Sequence, residues 1–293
     1  FPDRVVPMLP FELSNGWCSL VPHEDRGCMA VEMWLNRHGT KLRHKFCRGM
    51  MRSAARLTYD QVQRAMDGYP DDTTGPLLET IIKPLYGAYE AFLEARKGRG
   101  VLELDLPERK IELNDKGKII AIAPRARFDS HKLIEEFMVA ANVCAAEELE
   151  RIKQPCMYRI HDAPSEEKLE ALHEFLEGAG YKLNKGAVLR PRDFNRILEQ
   201  AKDTPEAELI NTVVLRSQSQ AMYSPDNIGH FGLALKKYAH FTSPIRRYAD
   251  LLVHRALIAG LKLGEGGLPP EDGERFEQIG EDISGTERRA AMA

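Results

Sequence analysis

The chain has 293 residues, of which 43% are apolar, and this is enough to build one large domain or two ordinary ones. Its formal net charge of −3 excludes a strongly basic nucleic-acid binder, so any such surface must be local. The five cysteines form no C-x-x-C pair and no zinc-type spacing with histidine, which favours reduced thiols. No apolar run approaches the ~20 residues that a membrane span needs. We therefore expect a cytoplasmic protein without membrane contact.

The N-terminal part of the chain predicts a loop, a hairpin and a helix. Residues 1–26 are rich in turn-forming residues and predict an irregular but ordered segment. Residues 29–46 alternate apolar and polar side chains on both sides of an Asn-Arg-His-Gly turn, which predicts a β-hairpin. A helical pattern begins after Tyr59.

The next part predicts a broken helix and a second hairpin. Residues 75–96 place apolar side chains on one side of a helix, and Pro84 should kink or split it. Residues 101–106 and 111–122 alternate apolar and polar side chains, and they meet around the turn sequence Asn-Asp-Lys-Gly. These two segments predict a hairpin.

The rest of the chain is mostly helical, and three helix starts have residues suited to capping. Ser130 precedes a helix over residues 131–152, and Ser165 precedes one over residues 169–177. Thr204 is expected to cap a third, with proline at its first helical position. The pattern predicts one α+β domain that is helical on its C-terminal side.

The most informative segment is HFGLALKKYAHFTSPIRRYADLLVHR. Residues 231–238 predict a strand, and Ser243 and Pro244 should begin a helix. Arg246 and Arg247 would then occupy its first turn, where each cation opposes the helix dipole by ~0.3–1 kcal/mol. A bound anion would compensate, because helix N-termini and guanidinium groups both bind phosphate. The alternative is an arginine paired with a neighbouring aspartate on a solvated helix.

A second basic segment, called here the basic run, covers residues 41–56 and contains Lys45. It has no acidic residue, and the aromatic residues Phe46 and Tyr59 lie within it or close to it. Phosphate neutralisation and base stacking are the usual means of binding single strands. The alternative is an ordinary solvated strand face.

The segment HFGLALKKYAHFTSPIRRYADLLVHR resembles the C-terminal signature of the catalytic domain of the ribonuclease II/ribonuclease R family. Five further segments resemble blocks of the same family and occur in the family's order: FPDRVVPMLPFELSNGWCSLVPHEDR, MRSAARLTYDQV, HKLIEEFMVAANVCAAE, YRIHDAPS and LRSQSQAMYSPDNIGHFGLAL. The resemblance covers essentially all of residues 1–293 and leans toward the ribonuclease R branch. It implies a mixed-sheet α+β domain whose helical C-terminal side encloses an RNA channel. The implied activity is processive 3′-to-5′ hydrolysis of single-stranded RNA to nucleoside monophosphates.

The resemblance also implies roles for individual residues. Arg246 is similar to the catalytic arginine of S-P-I-R, which contacts the scissile phosphate. Glu135, with Glu136 beside it, resembles the functional glutamate of I-E-E, and the assignment between the two stays open. Tyr59 resembles the tyrosine that packs near the 3′-terminal nucleotide. The further candidate RNA contacts are Arg247, Glu136, Lys45, His240 and Tyr238.

Two departures from the family pattern qualify these expectations. The metal-binding aspartates of the family precede the block that begins this chain, so we expect Mg²⁺ as cofactor but assign no metal ligand here. The domain should then lack its metal-binding segment and its C-terminal end, and this chain alone should be inactive. Leu104 stands where family members typically place a base-stacking phenylalanine.

The resemblance leaves the functional class and the flanking domains open. Family members usually carry OB-fold domains on both sides of the catalytic domain. The alternative to an enzyme is a catalytically inactive RNA-binding or scaffold protein that retains the channel.

Overall fold

The computed structural model describes residues 4–183 and 189–292. Its strands are β1 (Asp25–Leu35), β2 (Lys41–Arg52), β3 (Arg109–Leu113), β4 (Ile119–Pro124), β5 (Tyr158–Ile160) and β6 (Met222–Ser224). Its α-helices are α1 (Tyr59–Met66), α2 (Gly75–Leu77), α3 (Lys83–Arg99), α4 (Asp129–Arg151), α5 (Glu166–Gly178), α6 (Pro191–Ala201), α7 (Ala207–Ser217), α8 (Tyr248–Gly260), α9 (Pro270–Gly273) and α10 (Phe276–Met292). The α+β class is confirmed. The described strands pair as three two-stranded antiparallel sheets, β1-β2, β3-β4 and β5-β6, and not as one mixed sheet.

The first predicted hairpin is confirmed and is longer than expected, since β1 and β2 pair along their whole length. The Asn36 side chain accepts hydrogen bonds from the backbone N–H groups of His38 and Thr40, at 3.0 and 2.9 Å, and so closes the turn. Gly39 has a φ of +71°, and a Cβ there would overlap the carbonyl oxygen of Ala91. Only glycine therefore allows the turn to lie against α3.

The N-terminal segment is less regular than the hairpin that follows it. A π-helical turn, Glu12–Trp17, interrupts it. Residues 1–3, which begin the predicted loop, lie outside the described residues.

The split of the helix near Pro84 is confirmed. A π-helical turn, Leu78–Ile82, separates α2 from α3, and Pro84 lies in the first turn of α3. The Lys83 N–H donates to the Leu78 carbonyl five residues earlier, and Pro84, which has no N–H, follows at the change from π- to α-helical geometry. The proline thus marks a new helix start.

The second hairpin forms, but its predicted boundaries are wrong. Both of its strands, β3 and β4, lie within residues 109–124, and residues 101–106 are extended without a strand partner. The backbone N–H groups of Glu103 and Asp105 donate instead to the side-chain oxygens of Asn195 and Asn211, each at 2.8 Å. Amide side chains of α6 and α7 therefore accept the backbone hydrogen bonds that a neighbouring strand would otherwise accept.

Of the three predicted caps, one is confirmed. Ser165 accepts a hydrogen bond from the Lys168 N–H and begins α5. Ser130 instead lies inside α4, where its hydroxyl donates to the Tyr59 carbonyl at 2.9 Å. Helix α7 begins at Ala207, after a turn in which the Thr204 hydroxyl donates back to Ala201. Neither Ser130 nor Thr204 caps a helix, because each hydroxyl donates its hydrogen bond to the carbonyl of a residue earlier in the chain.

The main hydrophobic cluster is built around α4 and α8. Small side chains such as Ala145 on α4 and Ala256 on α8 are fully buried, which lets the two helices approach closely. A second cluster joins α5, α6 and α7, and Leu104 packs partly buried against it. No described helix is long and apolar enough to cross a membrane.

Candidate functional site

The candidate site lies on the loops that precede α8, and the first of these differs from its prediction. Residues 231–238 form turns, not a strand. The backbones of His230 and Leu235 exchange two hydrogen bonds, at 2.8 and 3.2 Å, and Ala234 has a φ of +50°. An extended strand does not accommodate a residue with left-handed backbone geometry, so the strand predicted for residues 231–238 is wrong.

The second loop, residues 241–247, is called here the arginine loop, and the helix after it starts later than predicted. Helix α8 begins at Tyr248, not at Pro244. The backbone N–H groups of Arg246 and Arg247 donate to the Ser243 carbonyl at 3.3 and 3.1 Å, which makes a separate turn. Both arginines thus precede the helix, and the argument from an opposed helix dipole is wrong.

The two adjacent arginines are in different environments. The Arg247 guanidinium donates two hydrogen bonds to the fully buried Asp250 carboxylate, Nε at 2.7 Å and Nη2 at 3.0 Å. Burial opposes the charge of Arg247, but the hydrogen bonds and charge of Asp250 raise its pKa above the ordinary value. Arg246 is exposed, and no ion pair or side-chain hydrogen bond joins it to another residue that the structure describes. The pairing alternative therefore applies to Arg247, while Arg246 is free to bind an anion.

A buried amide attaches the arginine loop to α4. Asn142 accepts a hydrogen bond from the Phe241 N–H at 2.8 Å and donates to the Tyr238 hydroxyl at 3.0 Å. Tyr238, predicted to contact RNA, is itself buried. Neither Asn142 nor Asp250 was among the predicted site residues. A lone polar residue within an otherwise apolar helical stripe is the sequence signal that marks both.

His240 lies beside this network and stays neutral. Its Nδ1 is 2.9 Å from the Tyr223 hydroxyl. Burial, followed by the charges of Arg247 and Arg159, lowers the pKa of His240 to about 2. The imidazole can therefore offer RNA a hydrogen bond but no positive charge.

The neighbouring glutamates on α4 differ as much as the two arginines. Glu136 is buried, with Oε1 2.8 Å from Arg96 and Oε2 3.9 Å from Arg99 on α3. Glu135 is exposed, and its Oε2 is 2.6 Å from Arg127. Seven residues separate Glu135 from Asn142, so both lie on one face of α4, about 10 Å apart along its axis. At Asn142 this face meets the arginine loop.

Tyr59 lies at the same end of α4 as Glu135. Its ring stacks on His131 with centroids 4.0 Å apart and an interplanar angle of 19°. The side chain is 41% exposed, which leaves part of the ring accessible. The fold thus brings two candidates that are far apart in sequence to one region.

Most cations of the basic run are bound within the protein. Four of them have a partner: Lys41 pairs with Glu147, Arg43 stacks on Trp34, Arg48 donates to the Glu265 carbonyl, and Arg52 pairs with Asp25. Lys45 is exposed and forms no ion pair with another described residue. Phe46 is buried with its ring centroid 5.3 Å from that of Phe241, so it cannot stack on a base.

A metal site requires several converging ligands. Across residues 4–183 and 189–292, no three His, Cys, Asp or Glu side chains are grouped so as to hold a metal ion. A pair of magnesium ions needs several carboxylates, so these residues do not fit one.

The chain is similar in sequence and in fold to known proteins. Ribonuclease R of Escherichia coli (strain K12) is 42% identical over 303 residues, covering all of this chain and 37% of that protein. The chain therefore spans only 37% of the length of this curated relative. The structure of Mycoplasma genitalium RNase R in complex with ribose methylated single-stranded RNA matches with a TM-score of 0.89 at 28% identity, over 97% of this chain and 45% of that one.

A more distant structure shares the fold alone. Yeast Ssd1, described as a pseudonuclease, matches with a TM-score of 0.72 at 20% identity, over 97% of this chain and 34% of its own. The sequence profile of the RNB domain matches residues 1–262. The chain therefore belongs to the RNB-domain family, as its resemblance to the ribonuclease II/ribonuclease R catalytic domain predicted.

Proposed function

We propose that the protein acts as a processive 3′-to-5′ exoribonuclease that hydrolyses single-stranded RNA to nucleoside monophosphates. The observation that carries this proposal is Arg246, an exposed arginine whose side chain has no partner among the described residues, in a hydrogen-bonded turn of an RNB-family domain. A relative from Mycoplasma genitalium has been solved with single-stranded RNA bound.

In this proposal Arg246 contacts the scissile phosphate. A guanidinium can donate two parallel hydrogen bonds to phosphate oxygens. Donors that are already oriented toward an oxygen on which negative charge builds stabilise the transition state more than the bound substrate. Arg246 would supply this stabilisation, because its guanidinium is not engaged with an internal carboxylate.

The other candidate residues take positioning roles along the RNA. Glu135 and Tyr59 lie at one end of α4 and would contact the 3′-terminal nucleotide, the tyrosine by stacking on its base. Lys45 and the neutral His240 would contact the strand. Family membership implies a metal cofactor, and we propose that Mg²⁺ serves the reaction without assigning ligands for it among the described residues.

The second candidate function is an RNA binder without hydrolytic activity. It is favoured by the match to yeast Ssd1, since a protein described as a pseudonuclease has this fold. Fold alone therefore does not separate the two functions.

One assay distinguishes them. The protein, as it is naturally expressed, is incubated with 5′-labelled single-stranded RNA in the presence of magnesium or of a chelator. Magnesium-dependent shortening from the 3′ end, with release of mononucleotides, supports the exoribonuclease. Binding of the same RNA without shortening would overturn it in favour of the binder, and equal shortening of DNA would contradict specificity for RNA.

A further inference from the structure

The side chain of Asp250 is fully buried, yet it carries a charge that the apolar packing of α8 does not require. Its neighbours on the buried side of the helix include Ala249, Leu252 and Val253. A buried carboxylate is costly unless hydrogen bonds and a counter-charge compensate it. The groups that bind the Asp250 carboxylate therefore indicate which part of the structure it stabilises.

Both residues that Asp250 binds, Ser243 and Arg247, belong to the arginine loop. Asp250 Oδ1 accepts hydrogen bonds from the Ser243 N–H at 2.7 Å and from Arg247 Nη2 at 3.0 Å, and Oδ2 accepts from Arg247 Nε at 2.7 Å. Ser243 and Arg247 lie on either side of residues 244–246. One carboxylate thus joins the two ends of the turn that contains Arg246.

Arg246 has no anchor of its own. Its backbone N–H donates to the Ser243 carbonyl at 3.3 Å, and its side chain projects without a partner among the described residues. Its position therefore depends on the residues that flank it. A second buried contact, from Asn142 to the Phe241 N–H, fixes the beginning of the same loop.

We infer that Asp250 is a positioning residue for Arg246: it closes the turn of residues 243–247 and so fixes the backbone position from which the Arg246 side chain reaches the phosphate of the RNA. This inference rests on the role proposed above for Arg246. Misplacing a transition-state donor by about 1 Å can slow a reaction on the order of 100-fold. The competing explanation is that Asp250 only stabilises the start of α8.

A double-mutant cycle separates these explanations. Asp250→Asn, Arg246→Ala and the double variant are assayed on single-stranded RNA, using the protein as it is naturally expressed. Asp250→Asn should lower kcat roughly 10- to 100-fold with little change in KM, because it disturbs a contact made in the transition state. In the Arg246→Ala background the same change should have less than about a twofold effect, since residues that act through one another are not additive.

Two further variants keep the test decisive. Glu148→Gln is the matched control: Glu148 is a buried carboxylate bonded to an arginine three residues away, Arg151, at 2.6 and 2.9 Å. It should lower the Tm without lowering kcat. Should Asp250→Asn fail to fold, Arg247→Gln leaves the contact between Asp250 and Ser243 in place and should also lower kcat.

The two possible failures give different results. Suppose that Arg246→Ala slows the reaction, and that Asp250→Asn lowers kcat by the same factor in the wild-type and in the Arg246→Ala background. This result would overturn only the positioning role of Asp250. If Glu148→Gln lowers kcat as much as Asp250→Asn does, the loss of kcat follows from lost stability, and the positioning role of Asp250 is overturned as well. A normal rate in Arg246→Ala would instead remove the role proposed for Arg246, and the inference about Asp250 with it.

Discussion

The basic run and the arginine loop differ in how many of their cations are already bound within the protein. In the basic run, Lys41 pairs with Glu147 and Arg52 with Asp25, while Arg43 lies 3.8 Å from the centre of the Trp34 ring. In the arginine loop, one arginine is bound to Asp250 and its neighbour is exposed. The loop therefore has fewer cations but supports one of them with a buried hydrogen-bonded network.

The comparison teaches that a count of charges does not measure the charge available to a ligand. A cation that already has an internal carboxylate gains less from a phosphate, because binding must replace or share an existing contact. A free cation needs no such exchange, because its guanidinium has no existing contact to give up. Function should therefore depend far more on Arg246 than on any cation of the basic run.

The largest expected effect is that of Arg246→Ala. Loss of one oriented donor to a developing charge typically slows hydrolysis at least ~100-fold. RNA affinity should fall much less, because other contacts to the strand remain. The measurement is kcat and KM on labelled single-stranded RNA, with Arg216→Ala, an exposed arginine at the end of α7, as control. A near-normal rate with weakened binding would leave Arg246 only a role in positioning the strand.

The two glutamates of α4 extend the comparison to acids. Glu136 faces Arg96 and Arg99 on α3, and Arg99 Nε has no hydrogen-bond partner in the structure. Glu136→Ala should lower the free energy of unfolding by about 2 kcal/mol, because Arg99 loses its carboxylate partner while Arg96 keeps its two hydrogen bonds to Glu103. Glu135→Ala should change it by less than ~0.5 kcal/mol, since the pair with Arg127 is exposed.

Urea-induced unfolding measures both values. Glu135→Ala should also slow RNA hydrolysis, which would assign the functional glutamate of the I-E-E motif. Equal losses of stability in the two variants would contradict the difference in burial on which this prediction depends.

Local sequence patterns were enough to predict the first hairpin, the helix break at Pro84 and the cap at Ser165. They failed where a side chain from outside the segment binds its backbone. Residues 101–106 alternate like a strand, but Asn195 and Asn211, about ninety to a hundred residues later in the chain, bind their N–H groups. The start of α8 was misplaced because the Asp250 side chain returns to the Ser243 N–H.

The candidate site shows the same limit. The motif S-P-I-R identified Arg246 through its resemblance to a family, but nothing local separates it from Arg247 beside it. That distinction comes from Asp250, which turns one arginine inward. Phe46 was expected among base-stacking residues and is buried against Phe241, a contact between segments almost two hundred residues apart. Partners from other elements decide which side chains of a motif stay available.

The smallest expected effect compares two lysines of β2. Lys45 is exposed and forms no ion pair within the described part of the chain, although Glu32 lies opposite it on β1. The Lys41 ammonium, in contrast, is already paired with Glu147. RNA affinity is measured at several salt concentrations in the presence of chelator, which prevents hydrolysis. Each phosphate neutralised on a single strand contributes roughly −0.7 to the slope of log K against log salt, so Lys45→Gln should reduce that slope by about 0.7. Lys41→Gln should leave the slope unchanged and lower the Tm instead, because its charge serves a contact between β2 and α4. Equal slopes for the two variants would place the RNA away from this strand and leave the arginine loop as the proposed contact to the backbone.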